Sequence, residues 1–117
     1  MRIEIRGRNV EVTEELKDAI HKRFNRVGRQ VSELATLEVE LREESNPRIA
    51  DSQIAEATLQ LKRTTIRASE ASPEMLHSIH ELAEDVRRQV KKNRELRRGR
   101  ARTRRALGRL RGDTATG

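Results

Sequence analysis

The sequence contains no cysteine, tryptophan or tyrosine, and Phe24 is its single aromatic residue. Without cysteine there is no disulfide framework, no thiolate nucleophile and no thiolate metal site. Nearly without aromatic rings, the chain lacks the stacking platforms on which single-stranded nucleic acid is held. No apolar run approaches the roughly 20 residues that a membrane span needs. No apolar block follows Met1-Arg2 to act as a signal peptide, so a cytoplasmic protein with no membrane partner is expected. Leu, Ile and Val supply most of the apolar volume in a chain that is only 33% hydrophobic. One thin-cored domain in 117 residues is the expectation, with no cavity large enough to enclose a small-molecule substrate.

What is abundant is charge, at 38% of residues and a net +7. Its distribution says more than its total. Residues 1–86 carry 13 Lys/Arg against 17 Asp/Glu, hence −4, whereas residues 87–117 carry 13 against 2, hence +11. A mildly acidic body with an arginine-dense extension suits delivery to a polyanion, because guanidinium forks match phosphate oxygens. A merely solubilising tail would show the same asymmetry.

Hydropathy periodicity orders the elements. Ile3 and Ile5 alternate with Arg2, Glu4 and Arg6, the period-two pattern of a half-buried strand. Thr13 is placed to cap a helix whose first turn carries Glu14 and Glu15, and Leu16, Ile20, Phe24, Val27 and Val31 form its apolar stripe. Leu37, Val39 and Leu41 mark a second strand, ended by Ser45-Asn46-Pro47. Ala55, Ala57, Leu59 and Leu61 mark a third, and Thr64, Ile66 and Ala68 a fourth. The joint at Lys62-Arg63 lacks the Gly or Asn that primed hairpin turns prefer. Ser72-Pro73-Glu74 starts a second helix with the stripe Met75, Ile79, Leu82, Val86 and Val90. The stripe fades after Val90. Residues 1–94 are therefore read as an α+β domain of order β-α-β-β-β-α, a two-layer sandwich with two helices on one face of a four-stranded, mainly antiparallel sheet. Residues 95–117 are read as a basic Arg-rich tail, disordered when free and partly helical when bound.

Catalytic constellations are absent from the pattern: no nucleophile elbow, no phosphate-binding glycine loop, no dinucleotide fingerprint. His77 and His80, with Glu81 and Glu84 one turn on, have a spacing open to metal ligation. They equally form i,i+4 pairs on a solvated face, the commoner arrangement, and neither metal nor other cofactor is assigned. The basic residues do form constellations. Lys22, Arg26 and Arg29 run along one face of the first helix, and Arg87, Lys91, Arg94 and Arg98 along one face of the second. A helix dipole favours cations in a last turn, but not over three successive turns. Two such stripes side by side would bind structured RNA by shape and phosphate charge.

The stretch Ile5-Arg6-Gly7-Arg8-Asn9-Val10-Glu11-Val12-Thr13-Glu14 resembles the N-terminal signature of the ribosome hibernation-promoting factors, also called ribosome-associated inhibitors. Thr65-Ile66-Arg67-Ala68-Ser69-Glu70, Glu74-Met75, Ser78-Ile79 and Val86-Arg87-Arg88-Gln89-Val90-Lys91-Lys92 are similar to that family's fourth strand and second helix, in order and spacing. The resemblance spans roughly residues 1–94 and implies a fold like that of double-stranded-RNA-binding domains. It also implies a non-enzymatic protein that occupies the mRNA and tRNA channel of the small (30S) ribosomal subunit near the decoding region. Translation would thereby be inhibited during stress or stationary phase. The implied partners are the 16S rRNA and the 70S ribosome. The implied RNA contacts are Lys22, Arg23 and Arg26, with Arg29 from the stripe, then Arg87, Arg88, Lys91 and Lys92, with Arg94 from the stripe; Arg67 is a weaker member. Leu76 stands where the family commonly has Tyr, and Arg63 where small turn residues are frequent. Nothing in these residues corresponds to the second, ribosome-dimerising domain of long members. Two rival readings remain: a general structured-RNA-binding or RNA-chaperone module driven by the tail, and a protein-interaction module.

Overall fold

A computed structural model describes the backbone of residues 1–116 and the side chains of residues 1–107. The elements are β1 (Arg2–Arg8), α1 (Glu14–Gln30), β2 (Thr36–Glu43), β3 (Gln53–Gln60), β4 (Thr65–Ser72) and α2 (Met75–Thr116). The strands lie in sequence order, β1 parallel to β2 and the remaining neighbours antiparallel. The α+β sandwich expected from the periodicity is the fold observed.

Pairing register explains which residues make the core. Ile3, Leu37, Leu59 and Ile66 stand in one row across the sheet, and Ile5, Val39, Ala57 and Ala68 in the next. Side chains alternate along a strand, so both rows face the helices. Alanine at two positions of the second row leaves room for the helix layer. Ile20, Phe24 and Val27 of α1 and Ile79, Leu82, Val86 and Val90 of α2 fill the space above, each at most 1% exposed. Burying such side chains contributes about 1.5–3 kcal/mol each before the entropy of ordering is subtracted.

The β1–α1 connection shows why its sequence is so particular. A Cβ on Gly7 would sit 2.4 Å from the Val10 carbonyl oxygen, so only glycine fits there. Asn9 takes a left-handed backbone (φ 58°), which asparagine tolerates better than most residues. Thr13 then caps α1, its Oγ1 accepting from the Leu16 N–H at 3.2 Å. At the other joint, Lys62-Arg63 is a two-residue loop closed by Leu61 N–H donating to the Thr64 carbonyl at 2.9 Å. Neither residue has a positive φ, so the turn is not of a primed type and needs no glycine.

α2 departs from the sequence reading at both ends. Ser72 does not cap its first turn directly. Its Oγ accepts from the Glu74 N–H at 3.2 Å and lies 2.7 Å from Ser78 Oγ, which donates to the Gln53 carbonyl at 2.7 Å. This buried hydroxyl chain joins the start of α2 to the start of β3. At the far end the helix does not stop near Arg94, where a disordered tail was expected, but continues to Thr116. Residues 95–107 contain no proline, and Leu96, Ala101, Ala106, Leu107 and the arginines are good helix formers, opposed by Gly99 and, more weakly, by Thr103. Packing against the sheet nonetheless ends at Val90, and beyond Asn93 every described side chain is exposed, giving a molecule 72 Å long.

Candidate nucleic-acid interface

Direction decides how the charges of the two helices combine. Arg26 of α1 lies close enough to Glu84 of α2 to influence its titration, and Gln30 and Val31 share a cleft with Asn93 and Arg94. The helices therefore run the same way. Their acidic first halves (Glu14, Glu15 and Asp18; Glu81, Glu84 and Asp85) fall toward one pole, and their basic second halves toward the other. The first residues of β1 and β2 and the Lys62-Arg63 turn lie at this same basic pole.

Helical periodicity then sorts the predicted residues. Arg23 and Arg26 lie on the side of α1 turned toward α2, with exposed Lys22 on its crest. Arg29 leans toward β1, lining a shallow cleft with Met1 and Asn25. Arg87, Lys91 and Arg94 lie on the α1 side and crest of α2. Arg87 donates to Glu84 at 2.8 Å, and this bond holds the Glu84 carboxyl below the usual glutamate range. Arg88 and Lys92 lie on the opposite flank, above the edge strand β4. There Glu70 is pushed up from its ordinary range, first by burial and then by the neighbouring Asp85 carboxylate, while Arg88 partly offsets this. Gln89 pins the flank by donating to the Arg67 carbonyl at 3.0 Å.

Arg67 stands apart from all of these. Its register partner is Thr58, whose own partner is Glu38, so its side chain projects from the open face of the sheet, opposite the helices. That face carries Arg2, Glu4, Arg6, Arg8, Glu38, Glu40, Arg42 and Glu56, and three of its arginines are matched by carboxylates: Arg2 with Glu4, Arg8 with Glu40 and Arg42 with Glu56. On the helix layer, Arg87 is the only one of the predicted contact residues with an ion pair among the described residues. His77 pairs weakly with Glu81 at 3.9 Å, whereas Glu84 turns to Arg87 and leaves buried His80 Nδ1 without a hydrogen bond.

The sequence pattern of the Sigma 54 modulation protein / S30EA ribosomal protein family matches residues 3–98. The chain belongs to this family. Family membership bears out the resemblance drawn from the Ile5-to-Glu14 signature and the motifs between Thr65 and Lys92, and the family is one of binding proteins rather than enzymes. The chain is 32% identical over 96 residues to a ribosome hibernation promotion factor of Picosynechococcus sp., an alignment covering 81% of this chain and 50% of that protein. It thus spans about half the length of that curated relative. Among solved structures, the N-terminal domain of Protein Y from Thermus thermophilus superposes with a TM-score of 0.68 at 24% identity, covering 79% of this chain and 98% of that one. A ribosomal subunit interface protein from Coxiella burnetii superposes at 0.69 and 19% identity, covering 81% and 99%. These two likenesses establish the fold.

Sequence reasoning missed two features of the site. Periodicity assigned Arg97, Arg100 and Arg104 to a free tail, but in the continuous helix they occupy defined faces. The buried Ser72–Ser78 link gave no sequence signal beyond the capping pattern. Among the described residues no helix is long and apolar enough to cross a membrane.

Proposed function

We propose that this chain binds the small ribosomal subunit through its helix layer, lodging in the mRNA and tRNA channel near the decoding region and blocking translation when growth stops. The observation that carries this reading is the basic pole, where two codirectional helices set Lys22, Arg23, Arg26, Arg87, Lys91 and Arg94 on one rigid surface with little carboxylate to neutralise them. Both helices are locked to the sheet by fully buried side chains, so the cations are held in position before binding and little order has to be gained. Arg88 and Lys92 extend the surface over the β4 flank, and Arg29 over the β1 flank. Arg67 contributes little, because the sheet separates it from the others. The partner would be 16S rRNA in the 30S subunit and the 70S ribosome, contacted mainly at the phosphate backbone. Membership of a family that includes a ribosome hibernation promotion factor supports the ribosome as the target.

Co-sedimentation with isolated small subunits, large subunits and whole ribosomes, with unrelated structured RNA as competitor, tests the proposal. Stoichiometric binding to small subunits that survives the competitor is expected, together with inhibition of translation in a cell-free system. Binding that vanishes into the competitor would instead leave a general structured-RNA binder.

A further inference from the structure

The helix beyond the sheet is not simply an appendage, because it keeps the rotational phase it had in the core. The buried stripe Leu82, Val86 and Val90 continues at three- and four-residue steps through Asn93, Arg97, Arg100 and Arg104. The face that packs on the sheet up to Val90 thus becomes, past the sheet's end, an arginine-lined underside. It overhangs the β3–β4 turn. Lys62, Arg63 and Thr64 on one side and Asn93, Arg97, Arg100, Ala101 and Arg104 on the other enclose a groove of about 380 Å³. Five of these eight residues are cationic and none is acidic. No ion pair among the described residues engages any of the five.

Cations facing cations across a groove repel, so the arrangement costs free energy unless an anion lies between them. A protein partner packed beneath the overhang would call for apolar residues at these stripe positions, and the sequence places arginine there instead. The groove has no aromatic ring on which a base could stack, but it does have guanidinium forks suited to phosphate oxygens. We propose that this groove is a second phosphate-binding site, in which the β3–β4 turn and the overhanging α2 clasp the sugar-phosphate backbone of structured RNA. It adjoins the basic pole, since Asn93 and Arg97 also line the cleft shared by Gln30, Val31 and Arg94. The inference rests on the reading of this chain as an RNA binder, and it assigns a role to Arg100 and Arg104, which lie beyond the family match.

The test measures binding of the full chain to an RNA duplex of about 16 base pairs by fluorescence anisotropy across a salt series. Each lost phosphate contact lowers the slope of log K against log salt by close to 0.9. Arg100→Ala with Arg104→Ala should reduce the slope by about 1.8, and Lys62→Ala with Arg63→Ala by a similar amount. Arg102→Ala with Arg105→Ala removes the same charge from another face of the helix and should change it by less than about half a contact. Combining the two groove pairs should give a loss short of additive, because both pairs hold one strand. Arg100→Lys with Arg104→Lys should retain most of the binding, and circular dichroism verifies that the helix persists in each variant. Equal losses from the groove and control pairs, or no loss from the turn pair, would overturn the proposal. So would groove variants that bind duplex normally yet fail on ribosomes, an outcome pointing to an acidic ribosomal protein. If the parent ignores small subunits but the groove pairs still weaken duplex binding, the ribosomal reading fails and the groove stands.

Discussion

The open face of the sheet and the helix layer both carry arginine, and they use it differently. On the sheet face Arg2, Arg8 and Arg42 lie beside Glu4, Glu40 and Glu56, so charge is matched locally and serves solubility and cross-strand pairing. On the helix layer the carboxylates are gathered at the opposite pole by the shared direction of α1 and α2. Among the predicted contacts on the two helices, only Arg87 is paired with a carboxylate among the described residues. The helices also carry more basic residues up to Arg94 than the open sheet face does, and a smaller share of them is paired with carboxylates.

Changing the salt should break the comparison most strongly. If about six helix-layer cations meet phosphates, small-subunit affinity falls on the order of a thousandfold between 50 and 200 mM salt, whereas a flat response would mean that the unpaired cations meet no phosphate. Reversing charge is the next largest perturbation. Arg26→Glu, Arg87→Glu and Lys91→Glu together should weaken co-sedimentation by at least about a hundredfold, each substitution both losing a phosphate contact and adding repulsion. Arg6→Glu, Arg8→Glu and Arg67→Glu on the sheet face change net charge equally and should weaken it less than about fivefold. Equal effects would reduce the helix layer to bulk charge.

Two smaller effects sharpen the comparison inside the helix layer. Glu84 holds Arg87, so Glu84→Gln should free that guanidinium and tighten binding by about two- to threefold, read from the same co-sedimentation. A decrease would show that Glu84 orients Arg87 for binding rather than competing for it. The same bond predicts a pH dependence of stability. Because the Glu84 carboxyl is held below its ordinary value, its contribution is present above the unfolded glutamate pKa and is lost as pH falls through the depressed folded value. Glu70 acts with the opposite sign: its raised value means that stability declines as pH rises from the unfolded glutamate range through the folded pKa. Thermal melts of Glu84→Gln should therefore lose less Tm on acidification than the parent, and melts of Glu70→Gln should lose less Tm between the unfolded and raised values. Parallel shifts in all three proteins would contradict these assignments.

Much of the fold was legible because its apolar periodicities are strict. The stripes from Ile20 to Val27 and from Met75 to Val90 name the helix faces that the structure buries, and the alternations around Val39 and Ala57 name the inner sheet face. The Ile5-to-Glu14 signature was legible as a family resemblance, and the structure supplies its physical content: a close approach at Gly7, a left-handed Asn9 and a capping Thr13. The basic stripes were legible too, but their union at one pole depends on the relative direction of α1 and α2, which no local pattern encodes. Arg67 entered the sequence reading only as a weaker contact on the fourth strand, and alternation along β4 sends it to the face opposite the helices. The helix past Arg94 was the hardest to read. Composition there suits both a disordered polycation and a helix, and only continuity with the packed turns before it carries the helix onward.

The absence of cysteine permits the most direct test of the central claim. A single cysteine introduced at Asn25 on the helix layer, or at Ser69 on the open sheet face, can carry a tethered iron chelate that cleaves nearby RNA. On small subunits the account predicts strong, localised 16S rRNA cleavage from position 25 and little from position 69. Equal cleavage from both positions, or stronger cleavage from position 69, would contradict it.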